Sequence, residues 1–175
     1  MEKDRGYHRG MFIFAFLIAV LLPSAVPAQP QPDSFKSLEF VVGSCWLGTF
    51  PDGKQTDEHC FEWVYDKKLI RDRHVVRGGG GVLYQGETIY NWNPTAKRLE
   101  YVYWNSDGMA MPGQVEPMTD GVRFLQQYPT DKGPIDMRVI WTRGGSDSYR
   151  VQTTMRSGDT WTTVNTMEMT RRPRR

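Results

Sequence analysis

The chain alternates short runs rich in aromatic and β-branched residues with clusters of Gly, Pro, Asn, Asp and Ser, which form turns. The runs have strand length, about five to ten residues, and no helical stretch separates them. The pattern predicts about ten strands: a hairpin within residues 43–63, then runs at 69–77, 82–92, 98–105, 109–116, 122–128, 135–143, 149–156 and 161–170. One short helix is predicted near residues 33–40, with Asp33 as its cap.

The short connections between these strands favour one architecture. Hairpin-length loops without long crossovers indicate up-and-down strand order, and closure into a barrel removes exposed sheet edges. We therefore expect an all-β fold, an antiparallel up-and-down barrel of about eight to ten strands with a short N-terminal helix.

The segment GSCWLGTFPDGKQTDEHCFEW sets the register of the first hairpin. Asp52-Gly53 suits a two-residue turn in which both central residues have positive φ. Counting outward from that turn places Cys45 opposite Cys60, at a Cα separation that a disulfide tolerates. A redox pair would be closer in sequence and a zinc site would need further nearby ligands, so these two cysteines, the only ones in the chain, are predicted to form a disulfide.

The same count divides the hairpin into two faces. One face is mixed and largely polar, whereas the other is aromatic and must be the interior, because its burial stabilises the fold far more. The predicted interior residues are Trp46, Gly48, Phe50, His59, Phe61, Trp63 and Tyr65.

The next hairpin supplies a candidate site. A two-residue turn at positions 66 and 67 places His74 opposite His59 and brings Asp72 to the same interior face. Two histidines and a carboxylate at the bottom of an apolar cavity would grip the polar head of a ligand or hold a divalent metal through imidazole nitrogens.

Other interpretations of these residues stay open. Barrel interiors often contain a few satisfied polar groups with no binding role. A three-residue turn would instead point Arg71 and Arg73 inward, where they would prefer a carboxylate ligand. An acid-base site for an isomerase or hydrolase is the alternative function, although the chain has no Gly-x-Ser-x-Gly or His-Glu-x-x-His motif.

The N-terminal pattern predicts export. Basic residues precede the apolar run MFIFAFLIAVLL at 11–22, which is too short to span a bilayer, and small residues follow up to Ala28. We expect a signal peptide at 1–28, one domain at 29–170 without a transmembrane segment, and a solvated basic tail at 171–175. The destination would be the periplasm or the extracellular medium, where disulfides persist.

Charge narrows the partners. The formal net charge is only +2, so the folded body carries no large basic excess. Nucleic-acid binders gather such an excess on one face, and the charge therefore argues against this class of protein. The sequence identifies no cofactor.

The stretches FVVGSCW, HCFEW and RDRHVV resemble an exported bacterial family of calycin-like domains of unknown function. More broadly, the opening SLEFVVGSCWLGTF is similar to that of calycin-type barrels, the lipocalin-like group that includes fatty-acid-binding proteins and nitrobindins, except that Cys45 is inserted into the lipocalin Gly-x-Trp. The resemblance implies a cup for an apolar or amphipathic small molecule.

From the predicted anchor and this resemblance, we expect a monomeric barrel that binds such a molecule. Its polar end would contain His59, Asp72 and His74, and its wall Trp46, Trp63 and Tyr103. An envelope interaction domain with a filled core is the further alternative.

Overall fold

The computed structural model describes residues 33–173. The predicted signal peptide, residues 1–28, lies outside the described residues, as do the last two arginines of the predicted tail. Among residues 33–173, no helix has the length and apolar character needed to cross a membrane.

Ten antiparallel strands form a closed barrel in sequential, up-and-down order, and the first strand pairs with the last. The prediction of an all-β up-and-down barrel is confirmed, with the number of strands at the upper end of the expected range. The strands are β1 (Cys45–Thr49), β2 (Gln55–Val64), β3 (Leu69–Gly78), β4 (Gly81–Asn93), β5 (Arg98–Asn105), β6 (Ala110–Met118), β7 (Gly121–Tyr128), β8 (Ile135–Arg143), β9 (Ser148–Ser157) and β10 (Thr160–Arg171).

The N-terminal segment is less helical than predicted. A 3₁₀ helix spans Asp33–Phe35 and the chain continues as successive turns to residue 43, while the side chain of Asp33, the predicted cap, lies outside the described part. Hydrogen bonds join Leu38 N–H to Phe35 O (2.8 Å) and Val41 N–H to Leu38 O (3.1 Å). With three residues per turn, Phe35, Leu38 and Val41 fall on one side, and all three are buried. The segment thus closes one end of the barrel.

The β1–β2 hairpin has the predicted register but a different turn. Cys45 pairs with Cys60 and the two form a disulfide. Phe50 N–H still donates to Gln55 O (2.9 Å), so the connection is residues 51–54, and of the predicted turn pair only Gly53 has positive φ. Loops of this length are commonly built around a type I turn, which does not need two left-handed residues.

The β2–β3 hairpin confirms the second predicted register. His59 pairs with His74, and the turn residues Asp66 and Lys67 have φ of 53° and 64°. The alternative in which arginines turn inward is wrong, because Arg71 forms an ion pair with Glu62 (2.6 Å) on the outer face.

Tyr65 corrects one prediction. Strand alternation predicts an interior position for Tyr65, but this residue has φ of 50° and is 75% exposed. The alternation of faces ends with β2 at Val64, because Tyr65 already belongs to the turn.

Aromatic side chains fill the middle of the barrel. Trp141 lies 5.6 Å from Phe61 and 4.4 Å from Phe124 between ring centroids, and Phe124 lies 5.8 Å from Tyr101. The opposite end from the N-terminal segment is less buried, and we call it the open end; it includes the loops β1–β2 and β3–β4. Half-buried interior-facing side chains near it are Tyr84, Tyr103, Asn105, Gln126, Met137 and Met155.

The seam between β1 and β10 is short. Three residue pairs join the two strands, and β10 reaches Arg171, one residue beyond the predicted domain boundary at 170. The Arg171 guanidinium lies 4.4 Å over the Trp46 ring and donates to Asp147 (3.0 Å). Arg172 N–H donates to Cys45 O (2.8 Å), so the first two residues of the predicted tail contact the barrel.

Candidate functional site

The candidate site lies on β2 and β3, below the loops of the open end. Asp57 and His59 are two residues apart on β2 and therefore point to the same face, while His74 pairs directly with His59 across the sheet. Asp72 is one step deeper on β3. We call Asp57, His59, Asp72 and His74 the His–Asp cluster.

Hydrogen bonds connect the His–Asp cluster in a line. His59 donates through Nδ1–H to Asp72 Oδ2 (2.8 Å) and through Nε2–H to Asp57 Oδ2 (3.2 Å). The second oxygen of Asp57 accepts from His74 Nδ1–H (3.1 Å). The two imidazoles stack with their centroids 4.7 Å apart. Each oxygen of Asp57 thus faces a different histidine.

Two tyrosines extend the line towards the open end. His74 Nε2 shares a hydrogen bond with the Tyr103 hydroxyl (2.8 Å), which lies 2.7 Å from the Tyr84 hydroxyl. Gly86 makes room for this contact, because a Cβ there would lie 2.4 Å from the Tyr103 ring and 2.6 Å from His74 Nε2. Burial raises the pKa of both tyrosines, so they remain neutral hydroxyls.

The carboxylates control the charge of His59. Burial alone would lower the pKa of its imidazolium, but the charge of Asp72 and the hydrogen bonds that His59 donates to both carboxylates outweigh burial and raise the pKa to about 10. Burial also opposes the charged form of Asp57 and alone would raise the pKa of this carboxyl. Hydrogen bonds from His59 and His74 nevertheless hold that pKa well below its usual range. At neutral pH, His59 is therefore an imidazolium between two carboxylates.

Two buried oxygen atoms deeper in the barrel have no hydrogen-bond partner among residues 33–173. Asp72 is 2% exposed, and its Oδ1 has no hydrogen bond to any residue that the structure describes. The hydroxyl of fully buried Tyr149 has none either. Buried polar atoms are normally satisfied, so these oxygens leave hydrogen-bonding capacity inside the barrel.

The structure brings together four of the six predicted site residues. His59, Asp72, His74 and Tyr103 belong to one hydrogen-bonded line. Trp46 and Trp63 pack elsewhere: Trp46 donates from Nε1 to Val41 O (2.9 Å), and Trp63 lies edge-on to Phe35, 5.4 Å between centroids. Both indoles therefore line the closed end rather than the cluster.

Sequence reasoning missed Asp57 and Tyr84. Asp57 could have been found, because it lies two residues before His59 and shares its face in the predicted register. Tyr84 gives no such signal, since it lies on β4 and meets the cluster through the Tyr103 hydroxyl and an edge contact with the His74 ring, 5.6 Å between centroids.

The cluster also has the composition of a metal site. One ligand atom each from Asp57, His59 and His74 lie within 4.8 Å of one another. Two imidazole nitrogens and a carboxylate oxygen suit a borderline divalent cation such as Zn²⁺.

A cleft of about 850 Å³ lies over β5–β8 and contains no residue of the His–Asp cluster. Arg138, Arg156 and Trp161 line it, together with outward-facing residues of β5 and β6, and the Arg138 guanidinium lies 3.5 Å over the Trp161 ring. The lining also includes interior-facing Tyr101, Met111, Gln126 and Met137, so the cleft extends from the outer surface to the barrel interior. We place the candidate site at the His–Asp cluster because charged groups are hydrogen-bonded to one another there.

No model of a known protein family matches the chain, and a search of curated proteins finds no match either.

Proposed function

We propose that this protein is an exported, lipocalin-like barrel that binds a small apolar or amphipathic molecule at its open end. The ligand would pack against half-buried interior side chains such as Met137 and Met155 and direct a polar group at the His–Asp cluster.

The observation that carries this proposal is the partial exposure of charged groups within a mostly aromatic interior. The side chains of His59, Asp57 and His74 are 17%, 11% and 10% exposed. A buried ionic network is costly to maintain and gives little net stability, so its location near the open end favours a role in recognition.

The disulfide supports export. Cys45 and Cys60 are joined on the barrel wall, and stable disulfides are typical of proteins that leave the reducing cytosol. The proposed destination is the periplasm or the extracellular medium, and we expect a monomer there.

Native mass spectrometry of the protein purified from its own host tests the binding proposal. We expect an organic molecule to remain bound to the wild type and to be lost from His74→Gln. Glu116→Gln is the matched control, because Glu116 pairs with Arg123 on the outer surface and should not affect the ligand. Two results together would contradict the proposal. The wild-type mass would equal that of the polypeptide alone, and the purified protein would bind neither extracted lipid nor haem when these are added.

The packed aromatic middle favours a second candidate, an envelope interaction domain. Trp141, Phe124 and Tyr101 leave the deep half of the barrel filled, so binding space is confined to the open end. This candidate predicts that no ligand is found and that His74→Gln leaves the host phenotype unchanged.

A further inference from the structure

Three side chains of the His–Asp cluster converge as metal ligands would. Asp57 and His59 share a face of β2, and His74 lies opposite His59 on β3. Asp57 Oδ2 is 3.2 Å from His59 Nε2 and Asp57 Oδ1 is 3.1 Å from His74 Nδ1, and one ligand atom from each of the three residues lies within 4.8 Å of the others. Ligand atoms around a tetrahedral zinc ion are about 3.3 Å apart, given bonds of about 2.0–2.1 Å, so side-chain rotations would bring the three ligand atoms from within 4.8 Å to that spacing.

Both histidines have the supporting hydrogen bonds that metal ligands need. Histidines that bind a metal through one ring nitrogen usually donate the other N–H to a carboxylate or another oxygen. His59 has Asp72 at its other nitrogen, and His74 has the Tyr103 hydroxyl, each at 2.8 Å. These partners would fix both ring orientations, and metal binding would displace the protons that the two inner nitrogens donate to Asp57.

The charges also match a divalent cation. Asp57 and Asp72 together contribute two negative charges at positions with little exposure. A cation of charge +2 balances them while both imidazoles are neutral. Calcium and magnesium prefer oxygen ligands, whereas a set of two nitrogens and one oxygen suits zinc and neighbouring transition metals.

We propose that Asp57 Oδ, His59 Nε2 and His74 Nδ1 bind a divalent transition metal of the zinc type, with Asp72 and Tyr103 as positioning residues. The fourth coordination position would face the open end and accept a polar atom of the ligand. The three protein ligands follow from the geometry of the cluster alone. Only the role of the fourth position rests on the proposed function.

Metal titration of the disulfide-bonded protein, prepared without a polyhistidine tag and stripped with EDTA, tests the inference. We expect one equivalent of Zn²⁺ by calorimetry and one equivalent of Co²⁺ with the visible absorption of a four-coordinate nitrogen and oxygen site. His74→Gln should abolish the Co²⁺ spectrum.

Positioning variants keep the test decisive even if ligand variants fail to fold. Asp72→Asn and Tyr103→Phe retain all three ligands, and each should weaken Zn²⁺ binding about 10- to 100-fold while the stoichiometry stays at one. Glu116→Gln is the control and should bind Zn²⁺ as the wild type does.

Two results would overturn the inference. One is the absence of stoichiometric binding of either metal to the folded wild type, and the other is metal affinity in Asp72→Asn and Tyr103→Phe equal to that of the control. If no metal binds but an organic molecule still requires His74, the metal inference fails and the proposed function stands. If metal binds and no organic molecule is found, the metal site stands and the proposed function fails.

Discussion

Asp57 joins the two imidazoles of the cluster, because its two oxygens face different histidines. Without this carboxylate, the stacked rings of His59 and His74 would lose the anion that both N–H groups share. Asp72 has a different role, since it accepts from the far side of His59 and its other oxygen has no partner within the described part of the chain. Each residue of the cluster therefore makes a separate contribution to its charge and geometry.

The first residue-scale prediction concerns pH. His59 has a pKa of about 10 in the folded protein and 6.5 when unfolded, so its contribution to stability is complete below about 6.5 and is lost as pH rises towards about 10. The depressed pKa of Asp57 acts oppositely: its contribution is present above 3.8 and is lost as pH falls. Urea unfolding in EDTA should show greatest stability between these limits.

His59→Gln provides the comparison for that profile. The variant should lose the decline between about 6.5 and about 10, because the group that titrates there is gone. An unchanged alkaline decline in the variant would show that other groups cause it.

Gly86→Ala tests the space that the cluster needs. A Cβ at this position would meet both Tyr103 and His74, so we expect a loss of about 1–3 kcal/mol in unfolding free energy from overpacking. Gly81→Ala is the control, since a Cβ there meets nothing within 4 Å and should change stability by less than about 0.5 kcal/mol. Thermal or urea unfolding measures both, and equal effects would contradict the close packing.

At the scale of elements, the hairpins were predictable and the N-terminal segment was not. Strand alternation and turn residues gave both β2 registers correctly, because one face is aromatic and a shift of one residue would expose it. The helix prediction rests on Asp33 as a cap, but burial at every third residue against the barrel end selects 3₁₀-like turns. That packing is tertiary, so local sequence does not reveal it.

Within the hairpins, the sequence predicts which residues share a face but not the contacts that their side chains make. Strand counting placed His59, Asp72 and His74 together, yet it could not show which side-chain atoms meet. It also could not separate Trp46, which pairs with His59 in the sheet, from the cluster, because the Trp46 indole turns towards Val41 and Tyr149.

Leu38→Ala tests the closing role of the N-terminal segment. Leu38 is fully buried although it lies outside regular secondary structure, so truncation should cost about 2–5 kcal/mol through lost burial and a cavity. Lys36→Ala changes an exposed neighbour and should alter stability by less than about 0.5 kcal/mol. A mild effect of Leu38→Ala in urea unfolding would mean that the segment does not close the barrel.

At the scale of the whole molecule, the disulfide joins β1 to β2 and so strengthens the shortest strand of the barrel. Cys45 and Cys60 are separated by 15 positions. Closing a loop of that length contributes about 3 kcal/mol in the chain-entropy model.

The double variant Cys45→Ala/Cys60→Ala should therefore lose about 3 kcal/mol in unfolding free energy and retain the barrel fold. Urea unfolding with and without a reductant measures the loss. The reductant should destabilise the wild type alone, and an equal effect on the double variant would assign the loss to another cause.

The β1–β10 seam has a kinetic consequence. Every other strand pair joins sequence neighbours, whereas a contact such as Thr170 with Leu47 spans 123 positions, and closing such a loop costs about 4 kcal/mol of chain entropy. We expect this pair to form after the rate-limiting barrier, so Arg171→Ala should accelerate unfolding and leave the refolding rate nearly unchanged in stopped-flow chevrons. Slower refolding of Arg171→Ala would instead mean that the β1–β10 seam belongs to the folding nucleus. Because this pair forms late, the barrel stays open for a period after synthesis. During that period a second chain could insert its own β1 next to β10, which would give a domain-swapped dimer.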